Sequence, residues 1–194
     1  DVLACDKTGT LTTGDPALLK QLLLRDVDPE RMLAVAAAME TMSTHPYARA
    51  LLQAAQAMPV TLPAVTEGRV EASAGIEATI GSHRYRLGKI EFALPEKLSP
   101  QRSGVAAIVA QEGLSTASYV VLADDAGALA VFAFGERLRD DAAALVDAAT
   151  DRYVEVVLLS GDRREPVQAV ARSRGIERAL AHQTPDSKRH WVAG

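Results

Sequence analysis

The chain opens on a short apolar run, Val2-Leu3-Ala4-Cys5, which ends in Asp6 and a Gly/Thr-rich turn. A run of this length bounded by a turn reads as a buried strand, and such a strand delivers its last carboxylate to the carboxyl edge of a parallel sheet. The pattern then becomes helical. Asp28-Pro29-Glu30 supplies an N-cap, a proline at the first helical position and an acid in the first turn, and the Ala/Leu/Met run from Met32 to Met42 continues the helix. Thr44-His45-Pro46 repeats the start signal for a second helix through Ala57, which Met58-Pro59 ends. From Ala64 to Phe92 the period shortens to two. Val65, Val70, Ile76, Ile80, Tyr85, Leu87 and Ile90, punctuated by Gly68, Gly75, Gly81 and Gly88, predict short antiparallel strands and hairpins. Pro95 to Gly104 is polar and reads as helix plus loop, and Ser118 to Ala123 with Leu129 to Phe134 predict a hairpin around Asp124-Asp125-Ala126-Gly127.

After Gly135 the period changes again. Leu138 through Ala149 reads as an amphipathic helix, Val154 to Leu159 as a fully buried strand, Val167 to Ser173 as a helix closed by Gly175, and Ala179-Leu180-Ala181 as a short strand. Alternation of strand and helix predicts an α/β, doubly wound parallel sheet. The N-terminal strand has no sheet partners nearby and finds them only in this C-terminal half, so the middle is an insertion. The expected division is 1–15 and 129–194 in one α/β domain and 16–128 in an inserted α+β domain of antiparallel sheet and helices.

Composition narrows the class. Hydrophobic residues make up 48% of the 194 positions but aromatics only 4%, so the core has to be built from Ala, Val and Leu. The one cysteine, Cys5, excludes an intramolecular disulfide and reads as a small buried residue in a reducing compartment. A net charge of −4 gives no reason to expect nucleic-acid binding. No apolar stretch approaches a membrane span, and the first residues lack a signal peptide's charged head. The chain begins directly in its first strand and ends on Trp191-Val192-Ala193-Gly194, a helix cut at its close, which predicts a fragment of a longer protein.

Asp6-Lys7-Thr8-Gly9-Thr10-Leu11-Thr12 carries the chemistry. Gly9 lets the backbone approach a ligand, Thr8, Thr10 and the following amides can donate to phosphoryl oxygens, and a strand-end carboxylate is a competent nucleophile of the aspartyl-phosphate type. Ser160-Gly161-Asp162 follows a second apolar strand and offers a hydroxyl and a glycine amide to the same group. Lys188, within Thr184-Pro185-Asp186-Ser187-Lys188, can supply the point charge that a transferred phosphoryl group needs.

The string DKTGTLT resembles the phosphorylation motif of P-type ATPases, the ion pumps of the haloacid dehalogenase superfamily. The resemblance spans essentially the whole chain and is strongest in the first 15 residues. It implies a haloacid-dehalogenase-like core, incomplete at its C-terminal end, with Asp6 as phosphoryl acceptor. Lys7 and Thr8 complete its loop, Ser160-Gly161-Asp162 stands for the family's Thr-Gly-Asp, and Lys188 stands in a Pro-x-x-Lys. Glu136-Arg137-Leu138-Arg139-Asp140 looks like the family's Asp-Pro-x-Arg hinge with Asp and Pro replaced, and is not assigned as a site. Within the metal-transporting pumps the ATP-binding insertion carries a His-Pro pair, a Glu five residues earlier and a Gly-x-Gly. Here these are His45-Pro46, Glu40 and Ser73-Ala74-Gly75, with Ser73 in place of the first glycine. Imidazole can stack on adenine, a carboxylate can accept its amine, and glycine allows flat approach of the base. Where haloacid dehalogenase phosphatases place a second Asp two residues after the nucleophile, this chain has Thr8, which suits a long-lived phospho-enzyme.

The resemblance further implies ATP as substrate and Mg²⁺ held by Asp6 and the Thr8 carbonyl, with another ligand from a Gly-Asp-Gly-x-Asn-Asp segment after Gly194. It implies an actuator domain and transmembrane helices elsewhere in the parent chain, a heavy-metal cargo with Cu⁺ favoured by family frequency, and a soluble unit on the cytoplasmic side of a membrane that turns ATP over poorly alone. Two other readings stand beside this one: a free-standing soluble phosphatase with a cap insertion, and a catalytically silent nucleotide-binding module.

Overall fold

In the computed structural model the described residues are 2–114, 117–162 and 164–193, without the side chains of 165, 166, 192 and 193. They form two compact units, the first comprising residues up to Asp15 and from Glu136 onward, the second Pro16–Gly135. The second boundary falls later than the expected 129, because Leu129–Gly135 belong to a long strand that pairs within the second unit's sheet. Asp1 and Gly194, the expected outer limits of the first domain, lie outside the described residues.

The first unit is a parallel sheet in the order β1 (Val2–Asp6), β8 (Glu155–Leu159), β9 (Arg178–Leu180). Leu3 pairs with Val156 and Asp6 with Leu159, so the N-terminal strand does complete a sheet made by the C-terminal half. Its helices are α5 (Ala142–Thr150), α6 (Arg164–Ser173) and α7 (Pro185–Ala193). Cys5, Leu11, Val146, Leu158, Val167 and Ala171 form the core. Leu138, expected to open α5, ends the preceding strand instead. Three polar residues, Arg139-Asp140-Asp141, separate it from the helix.

The second unit is a six-stranded sheet in the order β2 (Thr12–Leu23), β7 (Gly127–Leu138), β6 (Ser118–Asp124), β5 (His83–Gly88), β4 (Gly75–Ile80), β3 (Val65–Glu71). Its faces follow the two-residue period. Ile76, Ala78, Ile80, Leu122, Phe132 and Phe134 pack against α1 (Pro29–Glu40) and α2 (Pro46–Gln56). Val121, Ala123 and Val131 instead meet Leu94, Val105 and Val109, the last two from α4 (Pro100–Gln111). Ile90 begins the short helix α3 (Ile90–Ala93) and not a strand, since β5 ends at Gly88. Helix α1 starts where the Asp28 carboxylate accepts from the Glu30 amide at 2.9 Å, and it is buried without a break from Met32 to Glu40. Its alanines let sheet and helix approach closely enough for that.

Three helices close by the same backbone motif. Leu114 donates to the Val109 carbonyl after α4, Val154 to Ala149 after α5, and Ile176 to Ala171 after α6. The residue before each donor is left-handed, and it is Gly113, Tyr153 and Gly175 in turn. Tyr153 has φ 56° and is 95% exposed, so it carries the steric cost of that conformation without any packing in return. Tyr153→Gly is therefore expected to raise stability by up to about 1 kcal/mol, read as a higher urea midpoint with unchanged slope.

Candidate functional site

Two groups of residues meet the chemistry anticipated above, one in each unit. In the first, β1 and β8 end side by side and Asp6 sits at the end of β1 with its carboxylate partly open to solvent. The Lys188 ammonium reaches both of its oxygens, at 2.9 and 2.8 Å. Lys188 comes from the first turns of α7, where the Thr184 hydroxyl accepts from the Ser187 amide at 3.1 Å and Pro185 follows at the first helical position.

Ser160 and Gly161 continue β8 beyond its last residue. Ser160 is buried, its amide donates to Leu180 at 2.9 Å, its carbonyl accepts from Gln183 at 2.8 Å, and its hydroxyl accepts from the Asp162 amide at 3.2 Å. The loop after β8 is thus laced to the loop after β9, which precedes α7 and Lys188. Between Asp6 and β2 the chain makes a wide turn over Lys7–Leu11, kinked at Thr8 and at Gly9, whose φ of 80° suits glycine.

Lys7 goes the opposite way from Asp6. It is only 4% exposed, and its ammonium lies 2.6 Å from Glu136 Oε2 and 2.8 Å from Asp162 Oδ2. Burial pulls the Lys7 pKa down, but the hydrogen bonds and charges of Asp162 and Glu136 outweigh it, and the net direction is upward. The hydrogen bond from Lys7 in turn holds the Asp162 carboxyl below the usual carboxylate range, with burial opposing. The Thr12 hydroxyl also binds Glu136 Oε2, and Thr8 Oγ1 lies 3.5 Å from Oε1. Glu136 is the residue that sequence reasoning missed. Its segment resembled a hinge with its acid replaced, and only the ion pair with Lys7 gives the glutamate a role.

Buried Cys5, next to Asp6, has its thiol pushed up in pKa by burial and reads as core. Among the described residues no three His, Cys, Asp or Glu side chains gather as a metal site. The Asp6 carboxylate and the Thr8 carbonyl are hard oxygen donors, of the kind Mg²⁺ uses beside its waters and a phosphate.

In the second unit Glu40, His45, Ser73 and Gly75 line one cavity of about 450 Å³, within the range of small-molecule sites. Glu40 ends α1, buried, and its Oε2 has no hydrogen-bond partner among the described residues. His45 caps α2 by accepting from the Tyr47 amide at Nδ1, 3.2 Å. Its ring lies 4.6 Å from that of Tyr47, which stacks on Phe134. Ser73 occupies the left-handed position of the β3–β4 turn with φ 62°, where glycine is preferred. Gly75 answers to packing first. A Cβ there would collide with the Leu87 carbonyl and stand 2.6 Å from Phe92 and 2.9 Å from Gly88 Cα. The lining also includes Tyr119 and Lys89, which neither motif nor spacing singles out.

Residues 1–192 match the haloacid dehalogenase-like hydrolases. The chain belongs to that family. Within it, the chain is 36% identical over 190 residues to the probable copper-transporting ATPase SynA of Synechococcus, covering 97% of this chain and 23% of the relative. It is 34% identical over 188 residues to the nitrogen fixation protein FixI of Rhizobium leguminosarum bv. viciae, covering 97% and 22%. The crystal structure of a zinc-transporting PIB-type ATPase in its E2.Pi state superposes with a TM-score of 0.83 at 27% identity, over 98% of this chain and 30% of that one. This haloacid dehalogenase-like chain thus spans less than a quarter of the length of those curated relatives. No helix among its described residues is long and apolar enough to cross a membrane.

The ion pairs of the first site set an acid limit. A carboxyl whose pKa is lowered by folding adds stability above its unfolded value, near 3.8 for Asp162, and loses it as pH falls through the folded value. Urea midpoints for wild type and Asp162→Asn are expected to differ by a constant amount from about pH 7 to about pH 5, then converge in more acid solution.

Proposed function

We propose that this chain is the ATP-binding and phosphorylation unit of a heavy-metal cation pump, in which Asp6 takes the γ-phosphoryl group of ATP. The observation that carries this reading is the Asp6 carboxylate at the end of β1 with the Lys188 ammonium on both oxygens. One Asp6 oxygen attacks Pγ, the new O–P bond forms as the bond from Pγ to the bridging oxygen breaks, and ADP leaves with the electron pair. An ionised carboxylate needs no general base for this. Lys188 offsets the charge of the transferring group, and the Ser160 and Gly161 end of β8 holds it in place. Lys7 acts through Glu136 and Asp162, keeping the turn that follows the nucleophile in one conformation.

Asp6 and the Thr8 carbonyl would hold Mg²⁺, which supplies charge neutralisation to the phosphoryl oxygens. Thr8 also bears against the phosphatase reading, because it stands where a phosphatase would have its acid and lies near Glu136. Relatives named for copper and for zinc support a heavy-metal cargo, for which Cu⁺ is our choice. Its ligands, the actuator and the membrane helices would belong to the rest of the parent, with this unit on the cytoplasmic side.

In the second unit the reading sets adenine against Glu40, His45 and the Gly75 strand, with Lys89 toward the phosphates. ATP titration is expected to shift the amides of those residues. Lys89→Ala should weaken ATP about three- to tenfold and leave adenosine unchanged, the size of one exposed charge pair. Ser73→Gly should tighten both ligands. Shifts confined to residues outside the cavity would overturn the site.

Phosphate transfer has its own test. In the full-length parent, [γ-³²P]ATP should give acid-stable, hydroxylamine-sensitive label that Asp6→Asn abolishes and Lys188→Met reduces by about 100-fold or more, the scale of losing one electrostatic group at a transferring phosphoryl. Label persisting in Asp6→Asn would assign the nucleophile elsewhere.

A further inference from the structure

His45 is exposed at the cavity, yet its imidazole is not left loose. Its main-chain N–H donates to the Ser43 hydroxyl at 3.1 Å, its Nδ1 accepts from the Tyr47 amide at 3.2 Å, and its ring lies 4.6 Å from the Tyr47 ring at 59°. Tyr47 is itself footed. Its ring stacks on Phe134 of β7 at 4.5 Å and 6° from parallel, and Phe134 is 1% exposed. Two ring contacts in line therefore join the exposed imidazole to the buried sheet.

The bond at Nδ1 has a chemical consequence. An acceptor nitrogen carries no hydrogen, so in the neutral ring the hydrogen is on Nε2, and His45 offers a ligand one N–H donor and a ring face. The Tyr47 side chain adds a separate restriction. An N-cap needs only an acceptor, which Asn or Ser supplies better than His. The ring-on-ring contact has no part in capping. Tilted ring pairs at this distance attract beyond the area they bury, and the contact removes rotational freedom from an otherwise exposed side chain.

We propose that Tyr47 is a positioning residue for base recognition: standing on Phe134, it fixes the place and the tautomer of the His45 ring before a nucleotide arrives. The inference rests on the nucleotide-binding reading above. Tyr47 acts through His45 and not by a bond of its own to the base. Affinity follows because a side chain ordered beforehand loses less freedom on binding, an effect of about a few-fold for one side chain. The Tyr47 hydroxyl has no role in this. Tyr47→Phe keeps the ring, whereas Tyr47→Leu keeps an apolar residue on Phe134 and withdraws the ring from His45.

The test uses adenosine and ATP against the whole chain, with dissociation constants from amide shifts. Tyr47→Leu is expected to weaken both ligands by the same factor, about three- to tenfold, the strength of one aromatic pair, and Tyr47→Phe to stay within about twofold of wild type. His45→Asn keeps an N-cap and removes the imidazole. In that background Tyr47→Leu should change affinity by less than about twofold, because a residue that acts only through His45 then has nothing to act through. Ring nitrogen shifts of His45 in the free protein at about pH 8 should show the hydrogen on Nε2. Equal loss from Tyr47→Leu in both backgrounds, no loss in the wild-type background, a Tyr47→Phe chain as weak as Tyr47→Leu, or the hydrogen on Nδ1 would each overturn the proposal. If Tyr47→Leu does not fold, Tyr47→Met takes its place in the cycle. Failure of the wild type to bind either adenosine or ATP would instead refute the nucleotide reading, and this inference with it.

Discussion

The buried ammonium of Lys7 is the constraint around which the first unit is arranged. A cation at 4% exposure needs carboxylates at hydrogen-bond distance, and it finds them on two segments far from it in sequence, Glu136 at 2.6 Å and Asp162 at 2.8 Å. Glu136 is the first residue of the unit after the insertion, and Asp162 follows the central strand. One side chain therefore fixes the turn after β1, the return of the chain, and the loop after β8. Thr12 adds a second tie to Glu136 from the start of β2. Such a knot contributes little net stability in general, since desolvation offsets much of the attraction. Its effect is on geometry, because removing Lys7 leaves two carboxylates without their shared cation, and removing either carboxylate leaves the buried ammonium with a single partner.

Neighbouring residues on β1 and its turn divide the work accordingly. Successive side chains leave a strand on opposite faces, so Cys5 enters the core, Asp6 emerges beside Lys188, and Lys7 turns inward again. The alternation places the Asp6 carboxylate between two buried anchors. A carboxylate on an otherwise mobile loop would lose this registration.

Much of this was legible in the sequence where local signals and tertiary packing agree. Asp28-Pro29 capped α1 as read, the 118–134 hairpin closed around Asp125-Ala126, and Gly175 ended α6. The misplaced boundaries share a cause. β7 runs from Gly127 to Leu138 because β6 offers ladder partners as far as Phe134, and apolar Leu138 looks the same at a strand's end as at an amphipathic helix's start. β2 was not read at all, since a strand holding Gly14, Pro16 and Lys20 forms at a sheet edge on the strength of its partner. In the site, Asp6, Lys188 and the Ser160 loop could be read from motif and spacing. Glu136 could not, because its significance lies in meeting Lys7 across 129 residues of sequence.

Glycine and its replacement in the cavity illustrate the same limit from the other side. Ser73 and Gly75 looked alike from the sequence, as two positions of one ligand-facing motif. The structure separates them. At Gly75 the adjoining strand leaves no room for a side chain, so the need for glycine comes from the β4–β5 contact whatever the cavity holds. At Ser73 the requirement is conformational, a left-handed turn residue that an L side chain adopts at a cost of roughly 1–2 kcal/mol. In this chain the two positions are thus constrained by different forces, one steric at Gly75 and one torsional at Ser73. Ser73 therefore carries torsional strain in the wall of the cavity.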